Sequence, residues 1–166
     1  MISIKKVGEE AIPAIHSLAR SIWPIAYKNI ITDEQIDYML ELMYSPTSLQ
    51  QQILEKKHQF IMAYENDLPV GYSSYSIKSE TEINTYRLHK LYVSVDQQRK
   101  GIATRLLNYI ISDIQPTGAT AIQLNVNKMN PSVLFYTAKG FTVAEEQMLD
   151  IGNGFFMDDY IMQLMC

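Results

Sequence analysis

The stretch from Tyr86 to Ile114 constrains the fold of this chain more than any other. Tyr86 to Val95 reads as a strand, a polar turn with the single glycine Gly101 follows, and Ile102 to Ile114 reads as a helix. Leu106, Leu107, Ile110, Ile111 and Ile114 fall on one broad apolar face of that helix. A strand that feeds such a helix through a short turn must bury two apolar faces together, and a sheet with helices packed on it does so. The rest of the chain repeats this alternation. Ile2 to Val7 reads as a first strand, and Ile12, Ile15, Leu18, Ala19 and Ile22 recur at helical spacing, with Pro13 tolerable in the first turn. Thr32 and Gln35 make a capping-box pattern ahead of the stripe Ile36, Met39, Leu40 and Met43, and a short helix is expected between Thr47 and Lys57.

Phe60 to Tyr64 and Val70 to Ile77 read as a hairpin about the turn 65–69. Ala121 to Val126 is a strand of buried-type residues. Asn130 as N-cap and Pro131 at the first position open a short helix that Gly140 closes. Two last strands, Thr142 to Leu149 and Phe155 to Leu164, flank the turn 150–154. No repeat, low-complexity run or long linker interrupts the pattern, so residues 1–166 are expected to form one α/β domain.

Composition narrows the function. A hydrophobic content of 47% fills a core of this size, and 19% charged residues excludes wholesale disorder. Fourteen Lys and Arg against eighteen Asp and Glu give a net charge of −4, which argues against a binder of nucleic-acid backbone. The one cysteine is Cys166, and His16, His58 and His89 are scattered, so neither a disulfide nor a metal site is expected. No apolar run approaches the roughly 18 residues of a membrane span, and the first residues lack a signal-peptide pattern. The expected location is the cytoplasm, with no membrane partner.

The turn before Ile102 carries chemistry. A helix start points unpaired backbone N–H groups and the positive end of the helix dipole at one spot. Gly101 lets a ligand approach the backbone, Ala103 is small, and Arg99 and Lys100 add positive charge. An anion such as pyrophosphate suits that nest. On spacing alone an ordinary connection whose glycine merely makes the turn is the favoured reading, because short glycine motifs often arise by chance. Gly-x4-Gly-Lys-Ser/Thr and Gly-x-Gly-x-x-Gly are absent, so neither a P-loop nor a Rossmann-type site is supported.

Gln98-Arg99-Lys100-Gly101-Ile102-Ala103 resembles the Gln/Arg-x-x-Gly-x-Gly/Ala signature of the GNAT superfamily, the Gcn5-related N-acetyltransferases. Asn130-Pro131-Ser132-Val133-Leu134-Phe135-Tyr136, followed by Lys139-Gly140-Phe141, is similar to the second motif of that family. The resemblance runs from about Phe60 to the end of the chain and implies the GNAT fold, a mixed, mostly antiparallel sheet flanked by helices. It also implies acetyl-CoA as co-substrate, with no metal. Backbone amides of Gln98, Arg99, Lys100, Gly101, Ile102, Ala103 and Thr104 would then cradle the pyrophosphate. Leu91, Tyr92 and Val93 would lie along the pantetheine, Asn130 would bond the cofactor, and Tyr136 would protonate the leaving thiolate.

The resemblance also implies a proton acceptor for the amine, and here the chain departs from the family. Many members carry a glutamate on the strand before the signature, and the corresponding position holds Arg87. His89 shares the parity of Arg87 and Leu91 and has a suitable unperturbed pKa, about 6.5. Relay through ordered water, backbone carbonyls or Asn127 is the other route. The acceptor is expected to be a small molecule, a primary amine of polyamine or diamine type. Asp33, Asp37 and Glu41 share one helix face that could draw in a cation or simply be solvated. Ile151 to Phe155 with Met157-Asp158-Asp159-Tyr160 resembles the last hairpin of the diamine and polyamine branch. Trp23 and Tyr27, placed in a break between two helices, could line the acceptor pocket or plug that break. A protein N-terminus or lysine as acceptor, an idle acyl-CoA-binding module, and a monomeric or homodimeric state are the alternatives left open.

Overall fold

Apolar runs in the first third form helices where capping residues start them. In the computed structural model, which describes residues 1–166, α1 (Ile12–Ala26) buries Ile15, Ala19, Ile22 and Trp23, the spacing of one helix face. The expected break at Trp23 is absent, and α1 continues through Pro24 to Ala26, with Tyr27 as its C-cap. Pro24 lies on the exposed face, where water can satisfy the carbonyl that loses its helical partner. In α2 (Asp33–Tyr44) the Thr32 hydroxyl accepts from the Gln35 amide at 3.1 Å. The Gln35 side chain turns inward, with its Nε2 4.0 Å from Met39 Sδ. Ser45 starts α3 (Pro46–Leu54) in the same way, accepting from Ser48 N at 3.2 Å.

The strands follow the order β1-β2-β3-β4-β5-β7-β6, seven in a mixed sheet. Two compact units share them, residues 1–76 with 90–113 and residues 77–89 with 114–166. In the first unit β1 (Ile2–Val7) pairs antiparallel with β2 (Gln59–Glu65), which pairs antiparallel with β3 (Leu68–Ser79). Asn66 and Asp67 both take positive φ, 50° and 72°, as a tight hairpin turn requires. Phe60, Ile61, Met62 and Ala63 are all buried, so β2 is covered on both faces. In α4 (Ile102–Ile114), Ile102, Leu106, Leu107, Ile110 and Ile114 are buried, each contributing roughly 1.5–3 kcal/mol. Gly71 is needed here, since a Cβ would meet Tyr92 O at 3.0 Å and Leu106 Cδ1 at 3.5 Å.

β4 (Glu82–Val93) starts four residues before the expected strand and ends two earlier. Val95 is instead drawn into a 3-10 turn, with Gln97 N donating to Ser94 O at 2.9 Å. The second unit begins with a short parallel pairing of β4 with β5 (Ala121–Asn127), from Thr85↔Ala121 to Arg87↔Gln123. β5 pairs antiparallel with β7 (Phe155–Met165) over its length, and β7 forms a hairpin with β6 (Thr142–Gly152). Asn153 and Gly154 make its turn at φ 54° and 79°. Between β5 and β6 lies α5 (Ser132–Ala138), which starts two residues after Asn130. Ile122, Leu124, Phe141 and Met162 are among the buried apolar residues of this unit.

Candidate active site

The end of β4 and the start of α4 place the candidate residues of the first unit. β4 closes on Leu91, Tyr92 and Val93, and Ser94 N donates to Val70 O at 2.8 Å to fix the exit of the chain. The Gln98 side chain donates back to Val93 O at 3.3 Å, and Lys100 Nζ is held by Gln97 Oε1 at 2.9 Å. Arg99 and Gly101 both turn left-handed, at φ 67° and 77°. The first helical bond runs from Arg105 N to Gly101 O at 3.0 Å, so the amides of Ile102, Ala103 and Thr104 precede the helical ladder. A Cβ added to Gly101 would meet nothing within 4 Å, so the space above this backbone is open. Open space, early amides, the helix dipole and two adjacent cations fit a pyrophosphate.

Trp23 and Tyr27 are buried in a cluster with Tyr44, Tyr72 and Tyr92. The Trp23 ring lies 4.5 Å from Tyr27 and 5.6 Å from Tyr92, and the Tyr27 and Tyr92 hydroxyls are 2.9 Å apart. Their contacts are those of a plug that props Tyr92. Burial pushes the Tyr44 and Tyr72 hydroxyls well up, so both stay protonated, Tyr72 donating to Tyr44 at 2.8 Å. Lys90 is buried in the same unit, its Nζ 2.8 Å from Gln52 Oε1 and 5.1 Å from the Tyr44 ring centre. Asp33, Asp37 and Glu41 are exposed on α2.

The other unit, taken by itself, carries a separate group of candidate residues. Asn130 Oδ1 accepts from Ser132 N at 2.8 Å, and Asn130 N donates to Asn127 O at 2.9 Å. Asn130 thus caps the turn one residue ahead of the N-cap position, which Pro131 occupies because it already has helical angles. Tyr136 is buried in α5, edge-on to Phe135 and Phe141 with ring centres 5.4 Å apart in each case. A cavity of about 770 Å³ is lined by Arg87, His89, Gln123, Asn125, Gln147 and Gln163 among others. His89 is exposed at this cavity, beside the arginine that stands where a carboxylate was expected. Arg87 donates to Asn125 Oδ1, and Asn125 Nδ2 donates to Gln147 Oε1 at 2.8 Å and to Asp159 Oδ2 at 3.3 Å.

Asp159 and Lys90 were not singled out for roles in the sequence, though a signal was present. Asp159 shares strand parity with Met157 and Ile161, and Lys90 with Leu88 and Tyr92. A charge within an apolar row marks a buried group.

Comparison with known proteins adds to this geometry. The family described as an acetyltransferase (GNAT) domain matches residues 27–158. The chain is 25% identical to an uncharacterised N-acetyltransferase, YuaI, of Bacillus subtilis over 163 residues, 93% of this chain and 92% of that protein. It is 24% identical to a spermidine N(1)-acetyltransferase of Thermoplasma acidophilum, over 95% of this chain and 96% of that protein. Among solved structures, the PaiA N-acetyltransferase of Thermoplasma acidophilum in complex with coenzyme A superposes with a TM-score of 0.84 at 23% identity, covering 100% of this chain and 99% of that one.

Proposed function

The chain belongs to the GNAT acetyltransferase family and is an acetyl-CoA-dependent N-acetyltransferase, and we propose that its acceptor is a small primary amine of polyamine type. The observation that carries the transfer reading is the loop 98–104, whose helix start opens behind Gly101 onto empty space. In this reading the amides of Gln98 to Thr104 hold the phosphates, Leu91 to Val93 run along the pantetheine, and Asn130 adds a side-chain bond. The bound thioester supplies an acyl carbon that a neutral amine attacks directly. Tyr136 gives its proton to the sulfur as the C–S bond breaks. Gly101→Asp would place a carboxylate where the phosphates dock. Its acetyl-CoA affinity should fall at least tenfold, about 1.4 kcal/mol. Calorimetric titration of the folded variant checks this, and unchanged binding would remove the loop from the site.

Three observations support the polyamine acceptor. A relative that is 24% identical is named a spermidine acetyltransferase. Four amide side chains, Gln123, Asn125, Gln147 and Gln163, line the cavity of the second unit and give it polar walls that an ammonium group can approach. Asp33, Asp37 and Glu41 form an exposed acidic row on α2. Thiol release with spermidine, a monoamine and a peptide N-terminus as acceptors tests the reading, and spermidine should give the highest kcat/KM. Neutralising the row with Asp33→Asn, Asp37→Asn and Glu41→Gln should raise KM for spermidine about threefold to tenfold at low salt, given up to about 1 kcal/mol for an exposed charge pair. The maximal rate should hardly move, and the effect should fade as the Debye length shrinks to about 8 Å at 0.15 M salt. Equal losses for spermidine and the monoamine would show that the row does not select a polycation.

A further inference from the structure

The second unit contains a buried carboxylate whose hydrogen bonding is half complete. Asp159 is 4% exposed on β7. Its Oδ2 accepts from Asn125 at 3.3 Å, whereas Oδ1 is buried and accepts no hydrogen bond. Leaving a buried acceptor unsatisfied costs roughly 1–3 kcal/mol, more for a charged one, so a purely structural carboxylate would be expected to use both oxygens. Asn125 and Gln147 line the 770 Å³ cavity, and Asn125 is the residue bonded to Asp159. The carboxylate therefore stands one hydrogen bond behind the cavity wall.

We infer that Asp159 is the proton acceptor for the amine, its Oδ1 taking one proton from the acceptor ammonium through a single bridging water at the part of the cavity wall formed by Asn125. This rests on the acetyl-transfer reading above and assigns its missing base. One N–H bond of the ammonium breaks as its proton passes to the water, and the water gives one proton to Oδ1, so one O–H bond forms there and a neutral amine and a neutral carboxylic acid remain. The proton passes to solvent after turnover. Burial favours this step, because a neutral pair replaces two charges in a poorly solvated place. The amine then has the lone pair that attack on the thioester needs.

The arrangement also accounts for Arg87. The strand position where many family members carry a carboxylate holds a cation here, and the carboxylate comes from β7, across β5 from β4. Asn125 bridges the two groups, accepting from Arg87 and donating to Asp159. Burial raises the Asp159 carboxyl above its ordinary range, and the charge of Asp158 on the same strand adds to this. The Asn125 hydrogen bond and the Arg87 charge work in the opposite direction and keep the anion accessible. Around the adjoining cavity stand Lys78 and His89 on one side and Glu145 on the other, with Asn125 and Gln147 uncharged. Lys78 is itself paired with Glu82 at 2.9 Å, and Asp158 with Lys128 at 3.0 Å.

The test is the pH profile of Asp159→Asn, which preserves shape and removes the base. Its kcat/KM for the amine at pH 7 should fall about 100-fold or more, as for a lost general base. Acetyl-CoA binding, followed by calorimetry, should be unchanged. Without the base only the free amine reacts, so the deficit should shrink about tenfold per pH unit towards the amine pKa. A deficit constant from pH 6.5 to 9, or a variant within threefold of wild type, would overturn the assignment and leave Asp159 a packing residue. Arg87→Gln gives a second reading that does not depend on the first variant folding. Loss of the cation disfavours the anion, so the acid limb of kcat/KM should move to higher pH, and an unmoved limb would count against Asp159. A wild-type protein that releases no thiol with any amine would instead overturn the transfer reading itself.

Discussion

Replacing Tyr136 with phenylalanine should lower kcat by 10²–10⁴-fold while leaving acetyl-CoA affinity within about twofold, the pattern of a lost general acid. The two readouts separate because the ring and the hydroxyl do different things. The ring is buried edge-on to Phe135 and Phe141, with centres 5.4 Å apart, and phenylalanine preserves those contacts. The substitution should therefore cost little stability, as volume-conserving changes do. In the proposed reading the hydroxyl is the proton source for the sulfur, and a thiolate that leaves without a proton is the poorer leaving group. Stopped-flow thiol release under saturating spermidine and acetyl-CoA gives kcat, and calorimetry gives the affinity. A variant within twofold of wild type would move the proton donor elsewhere.

Periodicity in the sequence marks most of the elements of the fold. The helix over Ile102–Ile114 and the strand over Ile2–Val7 are found where their patterns placed them. Both elements pack one clean face, so local pattern and tertiary burial agree. The expectations that moved did so where backbone geometry outweighed pattern. A break was expected at Trp23 and Tyr27, yet the helix runs on through Pro24, whose missing N–H on an exposed face leaves only a solvated carbonyl. Asn130 looked like an N-cap, yet Pro131 takes the cap position, and Asn130 reaches the Ser132 amide from one residue earlier.

The candidate site divides in the same way. The loop 98–104 was legible because a glycine at a helix start is a local feature. The Arg87, Asn125 and Asp159 group was not, since it joins β4, β5 and β7 from positions up to 72 residues apart by sequence number, and strand order cannot be read from one sequence. Trp23 and Tyr27 were correctly seen as neighbours one helical turn apart. Their shared partner Tyr92 is 65 residues beyond Tyr27, so the cluster is visible only in three dimensions.

Lys90 should make the stability of the protein climb with pH from about 7 upward. It is buried with Gln52 Oε1 as its hydrogen-bond acceptor, 2.8 Å away, and its ammonium lies over the rings of Tyr44 and Phe60 at 5.1 and 5.8 Å. Burial, with a smaller push from the Lys56 charge, lowers its pKa from 10.5 to about 7. The unfolded chain therefore binds more protons at this site than the folded one between those two values. Stability then rises with pH across that window, by about 1.4 kcal/mol per unit from this group alone. Below about pH 7 both states are protonated and the contribution is flat. Lys90→Met keeps an unbranched apolar stem and removes the titration, although Gln52 Oε1 loses its donor.

The absolute stability of Lys90→Met thus combines two opposed effects, and the pH dependence isolates the one of interest. From pH 7 to 9 wild type should gain about 2.3 kcal/mol relative to the variant, since only half of the slope has developed at pH 7, and for a domain near this size this corresponds to about 5–9 °C in Tm. Urea titrations at pH 6, 7, 8 and 9 on both proteins measure it. Parallel curves would mean that Lys90 titrates near its ordinary value in the folded state, with water reaching it.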